Sequence, residues 1–369
     1  MTDLLSPTSL APQPLSHASA LPARYYVDPR MPALDAQAIF RRSWQLVCHQ
    51  AQLTGVGDHV VIEIAGLPLL VVRSDEQTIR AFHNVCRHRA GPVASCHGKG
   101  AKALRCRYHG WTYGLDGVLR GAPEMGRTED FDISQIRLPE VRVQVWQGLV
   151  FVAIDDAPAF AELVAGIDAR LGPDRSLAPF EFHHRTSYDV ACNWKVYVDN
   201  YLEGYHVPCI HPGLNSLLDY RSYITETAAW YSFQYSPLES AGDLYGSGEA
   251  LYYFIYPNTM LNILPGRLQT NRVLPLGVDR CRVEFDFYYA PVDTGRDTVE
   301  AAHERRAKDI AFSDEVQDED VTICQDVQRG LASGSYDSGR LNPLRENAVH
   351  HFHELVRAAY RNTAEPTHA

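Results

Sequence analysis

The sequence has no apolar run long enough to cross a membrane. Its longest, Leu67–Arg73 (LPLLVVR) and 148–154 (GLVFVAI), fall far short of the roughly 18 apolar residues that a spanning helix needs, and they read as buried strands. A basic excess is also missing. The 34 Lys and Arg stand against 45 Asp and Glu, a formal net charge of −11, so no nucleic-acid partner is expected. No Gly-x-Gly-x-x-Gly or other nucleotide loop occurs, and no repeat at solenoid periods. The eight cysteines have no regular spacing, and in a chain of 369 residues they make no disulfide framework, so the thiols are free or bind metal. The first 26 residues lack the basic start and continuous apolar segment of a signal peptide, which points to a cytoplasmic protein.

What is present is an ordinary globular composition, 45% hydrophobic and 21% charged, at a length that favours two or three domains. Residues 1–44 read as an N-terminal arm and helix. Up to about residue 24, Pro7, Pro12, Pro14 and Pro22 stand among Ser, Thr and Ala, a composition that does not order itself firmly; a helix is expected at 34–45. Strand-like runs at 59–65, 68–73, 79–82, 142–146 and 149–154 make 45–155 a small β domain. Residues 156–369 read as α+β: a helix at 159–171, strands at 185–190, 230–235, 252–256, 260–264, 270–275 and 281–289, then amphipathic helices at about 298–333 and 344–361.

Sixteen His ask which of them bind metal. Cys86, His88, Cys106 and His109 follow the pattern C-x-H-x17-C-x2-H. A zinc ribbon is one use of two thiolates and two imidazoles. A Rieske [2Fe–2S] centre is the other, with both Cys on one iron and both His on the second, an electron relay at roughly −150 to +300 mV. Zinc sites more usually pair C-x2-C or H-x3–5-H, which favours the cluster. Cys96 and His97, being adjacent, diverge and read as loop residues. On its two boxes, CRHRAG and CRYHGWTY, the chain resembles the Rieske family, with Arg107 where the family more often has Pro.

A second constellation lies in Asn200-Tyr-Leu-Glu203-Gly-Tyr-His206-Val-Pro208-Cys-Ile-His211. Pro208 discourages a continuous helix, so the chain can turn both imidazoles toward one ion. A carboxylate would complete a two-His, one-carboxylate Fe(II) site. On a helical wheel of 316–331, Val316, Ile323, Cys324, Val327 and Leu331 all lie within about 60° of Asp320, whereas Asp318 lies about 160° away. A carboxylate inside that apolar stripe needs a partner, and a metal supplies one. Glu203, three residues before His206, can orient its imidazole. His183, His184, His350, His351 and His353 read as strand and closing-helix residues.

Here too the chain resembles the Rieske non-haem iron oxygenases. YYFIYPNTMLNIL, TNRVLPLG and GLASGSYDSGR further resemble the quaternary-ammonium branch of terminal oxygenase (alpha) subunits. The resemblance implies an α+β chain: an N-terminal Rieske [2Fe–2S] β domain and a C-terminal helix-grip (START-like) antiparallel-sheet catalytic domain. It further implies mononuclear Fe(II) on His206, His211 and Asp320, with Asn200 as a further catalytic candidate. Glu203, where Asp is more common, would be a bridge from His206 to His109 of a neighbouring subunit in a homotrimer. Electrons would come from NAD(P)H through a separate flavin/iron–sulfur reductase, and O2 would hydroxylate a C–H bond of a small choline-, betaine- or carnitine-like substrate. Among the 20 Tyr and 5 Trp, Tyr201, Tyr205, Trp230 and Tyr253 are candidates for a cation–π cage, at roughly 0.5–2 kcal/mol per contact. The alternatives are hydroxylation of a neutral aromatic ring and a non-catalytic Rieske electron carrier.

Overall fold

The computed structural model describes residues 4–217, 222–238, 248–294 and 298–364. They fall into two compact units.

One unit comprises Phe40–Phe160 and Asp174–Pro179. Its larger sheet has the strand order Gln45–His49, Leu149–Ala153, Glu140–Trp146, Ile79–His83, Leu67–Arg73, His59–Ile64. Leu69–Val72 and Leu149–Ala153 are wholly buried, so both runs are apolar without alternation. A small sheet of Leu104–Arg105, Thr112–Tyr113 and Leu119–Gly121 supports the second Cys/His box. The helix expected through residue 45 is instead Met31–Ala38, and Gln45–His49 is a strand. Every residue of that strand is buried, and it pairs with Leu149–Ala153; sheet pairing overrides the local helical pattern.

The other unit comprises Met1–Ile39, Ala161–Pro173 and Phe180–Ala369. Its seven-stranded antiparallel sheet runs Glu181–Val190, Cys281–Tyr289, Arg267–Pro275, Thr259–Leu264, Gly248–Ile255, Tyr231–Leu238, Ile224–Thr227. The long helices are Val299–Ala332 and Asn347–Ala364. The sheet grips the second of them: the buried ring of Phe352 packs edge-on against Phe254 of the sheet and Trp194. The helix expected at 159–171 is two short ones, Phe160–Leu163 and Ile167–Leu171, because Gly166 adopts φ +84° between them. No helix among the described residues is long and apolar enough to cross a membrane.

The N-terminal arm is not a loose tail. Leu5, Leu10 and Leu21 are buried, Ala20 N–H donates to Gly339 O at 2.9 Å and Leu341 N–H to Ala18 O at 3.1 Å, and Arg357 holds Ser19 O at 3.0 Å. A few apolar anchors and main-chain bonds to the C-terminal segment order a stretch whose average composition argues against order. The next helix is pinned by Asp35, which accepts from Lys195 Nζ at 2.6 Å, Trp194 Nε1 at 2.8 Å and Tyr360 OH at 2.5 Å. Asp35 and Lys195 are 2% and 0% exposed, and burial pulls the Lys195 pKa below its ordinary value despite the carboxylate. Asp35→Ala would strand the ammonium in the core, and a loss of about 3–5 kcal/mol is expected in denaturant unfolding. A loss under 1 kcal/mol would show that the pair contributes little.

Candidate functional site

Each Cys/His box is a tight turn. Ala90 N–H donates to Cys86 O at 3.0 Å and Cys86 N–H to Gly91 O at 2.8 Å; Gly110 N–H donates to Cys106 O at 3.0 Å and Cys106 N–H to Trp111 O at 2.9 Å. Both thiols are buried, and the His88 and His109 rings lie 4.5 Å apart. His88 stacks on Trp111 at 4.8 Å. Its Nδ1 is buried with no hydrogen-bond partner among the described residues, a lone pair or proton left over for something else. A Cβ on Gly91 would stand 3.1 Å from Cys106 Sγ, so glycine keeps the space beside that sulfur clear. Burial first, and then the Cys86 bond, pushes the Tyr113 phenol well above its usual pKa; it stays an O–H beside Cys86 Sγ at 3.3 Å. The orphaned imidazole nitrogen and two buried thiols fit a [2Fe–2S] cluster. Cys96, exposed, and His97, whose Nδ1 accepts from Val61 N–H at 3.0 Å, stand outside the set.

In the other unit the segment after Tyr201 folds around Pro208. The helical turn Val207–Ile210 carries the proline in its first turn, where no N–H is required. His206 and His211 flank that turn, and their Nε2 atoms face each other at 3.2 Å. Asp320, on the helix Val299–Ala332, places Oδ1 3.0 Å from His211 Nε2 and 3.8 Å from His206 Nε2, so all three donor atoms lie within 4.8 Å of one another. Glu203 Oε1 is 2.7 Å from His206 Nδ1, and Glu319 Oε2 is 2.7 Å from His211 Nδ1. A carboxylate behind each ring fixes the proton on Nδ1 and turns an Nε2 lone pair inward. Two lone pairs and an anion converging on one point repel unless a cation lies between them. Burial works against protonating His211, but Asp320 and then Glu319 outweigh it and leave its pKa raised; a metal would take that proton's place.

Glu203 lies just before the helical turn Val207–Ile210. It caps the turn, accepting from His206 N–H at 3.0 Å and from Tyr205 N–H. Asn200 Nδ2 donates to Asp320 Oδ1 at 2.6 Å. Asp318 is exposed, as its wheel position requires. Glu319 is the residue the sequence reading missed; such outer partners typically carry 10–100-fold in metal affinity. On the closing helix His350 Nε2 bonds Gln13 O at 2.7 Å and His353 Nε2 bonds Asp199 Oδ1 at 2.9 Å, while His353 Nδ1 is buried without a hydrogen-bond partner among the described residues.

A cavity of about 140 Å³, near the size that holds one benzene-sized ligand, opens beside the triad. Gln234, Tyr252, Asn262 and Gln269 form a cross-strand row on its wall, and Tyr197, Tyr201, Tyr223, Phe285 and Phe312 add rings. Burial raises the pKa of Tyr201 and Tyr223, and that of Tyr252 to about 12, so the phenols stay neutral. Of the four cage candidates, Tyr201 alone lines the cavity. Tyr205 is 52% exposed, Trp230 is not among the lining residues, and Tyr253 is buried against Phe233. In YYFIY, period-2 alternation sends Tyr252 and Tyr253 to opposite faces, and nothing in the string says which face holds the cavity.

A cluster-fitting loop pair and a two-His, one-carboxylate group in one chain define an iron–sulfur oxygenase subunit. Residues 43–140 match the Rieske [2Fe-2S] domain, and residues 177–362 match the ring hydroxylating alpha subunit (catalytic domain). The chain belongs to this family of Rieske-type oxygenase alpha subunits, O2-dependent oxidoreductases that use a [2Fe–2S] cluster and a mononuclear iron and are fed by a separate reductase. It is 38% identical to the chloroplastic choline monooxygenase of Arabidopsis thaliana, over 93% of this chain and 83% of that one. With the carnitine monooxygenase oxygenase subunit of Escherichia coli K12 it shares 28% identity over 98% of both. Crystal structures of the quaternary ammonium Rieske monooxygenase CntA superpose with TM-scores of 0.85 (with an inhibitor) and 0.81 (with L-carnitine), at 25% identity over 95% of this chain and 99% of that one. A carrier confined to a Rieske domain is excluded by the catalytic domain at 177–362.

Proposed function

We propose that the chain is the terminal oxygenase of a cytoplasmic two-component system that hydroxylates a small quaternary ammonium compound. The supporting observation is a small cavity walled by Tyr197, Tyr201, Tyr223, Tyr252, Phe285 and Phe312 beside the His206, His211, Asp320 group. Aromatic faces attract a cation that cannot be hydrogen-bonded, and the relatives named for choline and carnitine fit such a cavity. Cys86 and Cys106 would hold one iron of the cluster and His88 and His109 the other; His206, His211 and Asp320 would hold Fe(II). When bound, these groups supply single electrons and activate O2 for insertion into a C–H bond. The chain's own part is positional. Glu203 and Glu319 fix the imidazole tautomers, Asn200 steadies Asp320, and the aromatic wall keeps water from the substrate. A flavin/iron–sulfur reductase using NAD(P)H would serve as donor, since this chain has no nucleotide loop. Oxygen uptake with such a reductase, across a panel of quaternary amines and aromatic acids, tests the reading. Turnover confined to aromatic acids would refute it.

Glu203 would also join His206 to His109 of a neighbouring subunit in a homotrimer. Glu203→Gln keeps length and loses charge, and a charge-assisted bond of about 1.5–3 kcal/mol corresponds to at least a tenfold slower reoxidation of the pre-reduced cluster by O2 with substrate present. Iron content should be unchanged. A stopped-flow rate equal to wild type would make Glu203 a purely structural cap.

A further inference from the structure

The strand Arg267–Pro275 and the helix Val299–Ala332 run side by side in register, and one rung between them is unmade. Arg267 Nε meets Asp309 Oδ2 at 2.7 Å, and Gln269 Nε2 donates to Ser313 Oγ at 3.0 Å. Two residues of strand advance about 6.6 Å and four residues of helix about 6 Å, so the next pair in step is Asn271 with Gln317. No bond joins them. Asn271 Oδ1 and Gln317 Nε2 are both buried without a hydrogen-bond partner among the described residues, on side chains only 2% and 1% exposed. Both residues line the cavity beside the metal-binding triad.

Several other polar groups on that wall engage one another. Tyr197 OH donates to Gln317 Oε1 at 2.6 Å, which leaves the Nε2 end as the spare donor. Tyr201 OH donates to Asn262 Oδ1 at 2.7 Å, Asn262 Nδ2 to Gln269 Oε1 at 3.2 Å, and Tyr223 OH to Gln234 Oε1 at 2.9 Å. An unpaired amide oxygen and an unpaired amide NH2 are each costly in a buried wall. One ligand group satisfies both at once: a hydroxyl, which donates to Asn271 Oδ1 and accepts from Gln317 Nε2. A carboxylate only accepts. It would set its charge against the Asn271 oxygen, and the guanidinium on this wall, Arg267, is already held by Asp309 and by Gln269 Oε1 at 2.8 Å.

We propose that Asn271 and Gln317 are specificity residues that bind the hydroxyl of an alcohol-bearing substrate and discriminate against its carboxylate analogues. This rests on the quaternary-ammonium reading above. Gln317 stands three residues before Asp320 on one helix, hence on the same face, so the alcohol end of the substrate is the end presented to the triad.

Calorimetric binding to the iron-loaded enzyme reads this without turnover, using choline, propyltrimethylammonium (a methyl in place of the hydroxyl) and glycine betaine. Wild type should bind choline at least about tenfold tighter than either analogue. Asn271→Leu should weaken choline by about the same factor and leave propyltrimethylammonium within twofold, while Asn271→Asp, which keeps an acceptor oxygen, should retain the preference for choline over propyltrimethylammonium. Gln317→Glu keeps the acceptor for Tyr197 and removes the donor, and it should reduce that preference. An undiminished preference in folded Asn271→Leu and Gln317→Glu proteins, or glycine betaine bound as tightly as choline, would overturn the assignment and leave the quaternary-ammonium reading standing. Failure of both choline and propyltrimethylammonium to bind would overturn the two together.

Discussion

Asp320→Ala is expected to abolish substrate oxygenation while the visible spectrum of the Rieske centre persists. The alanine removes the carboxylate that the helix Val299–Ala332 sets beside the Nε2 atoms of both His206 and His211. Two neutral imidazoles alone are a poor cage for Fe(II), which is ordinarily held by two His and a carboxylate. Iron should fall from about three to about two per chain, the two that belong to the cluster. Asn200 and His211 would each lose a partner, so a modest stability loss should accompany the change. Retained oxygenation with about three iron atoms per chain would remove Asp320 from the site.

Cys86→Ser should produce the complementary loss. Serine is a poor substitute for a thiolate ligand, and Cys86 is buried where Tyr113 OH and the Gly91 carbonyl hold its turn. The cluster's absorption and about two iron atoms per chain should go, and reductase-driven O2 consumption with them, because no route remains for electrons. The mononuclear site, built from the other unit, should still load. A normal Rieske spectrum in this variant would contradict the ligand set. Together the two variants separate the centres: each should remove one and spare the other.

Much of this arrangement was legible in the sequence because the paired Cys and His of each box are close neighbours in the chain. Cys86 with His88 and Cys106 with His109 sit within three residues of each other, and their turns are closed by bonds inside each box. Asp320 was legible for a different reason: a carboxylate in the middle of an apolar helical stripe has to be compensated. Glu319 left no such sign. In the run Asp318-Glu319-Asp320, one carboxylate faces solvent, one backs His211 and one faces both imidazoles, and only the partner from a distant segment tells the second from an ordinary surface charge. The cavity wall was hidden for a similar reason. Its polar row, Gln234, Tyr252, Asn262 and Gln269, comes from four strands and exists only through their register. The N-terminal arm was misread because average composition does not register that Leu5, Leu10 and Leu21 have buried places waiting for them.

Mössbauer spectroscopy of enzyme loaded with 57Fe tests most directly whether one chain holds both iron centres. The expected spectrum has two components in an area ratio of about two to one: a spin-coupled iron pair with unlike Cys and His ligation, and one high-spin ferrous ion whose signal shifts when choline is added and disappears in Asp320→Ala. A spectrum with the iron pair alone, in protein whose mononuclear site has been offered excess Fe(II), would contradict the assignment of His206, His211 and Asp320.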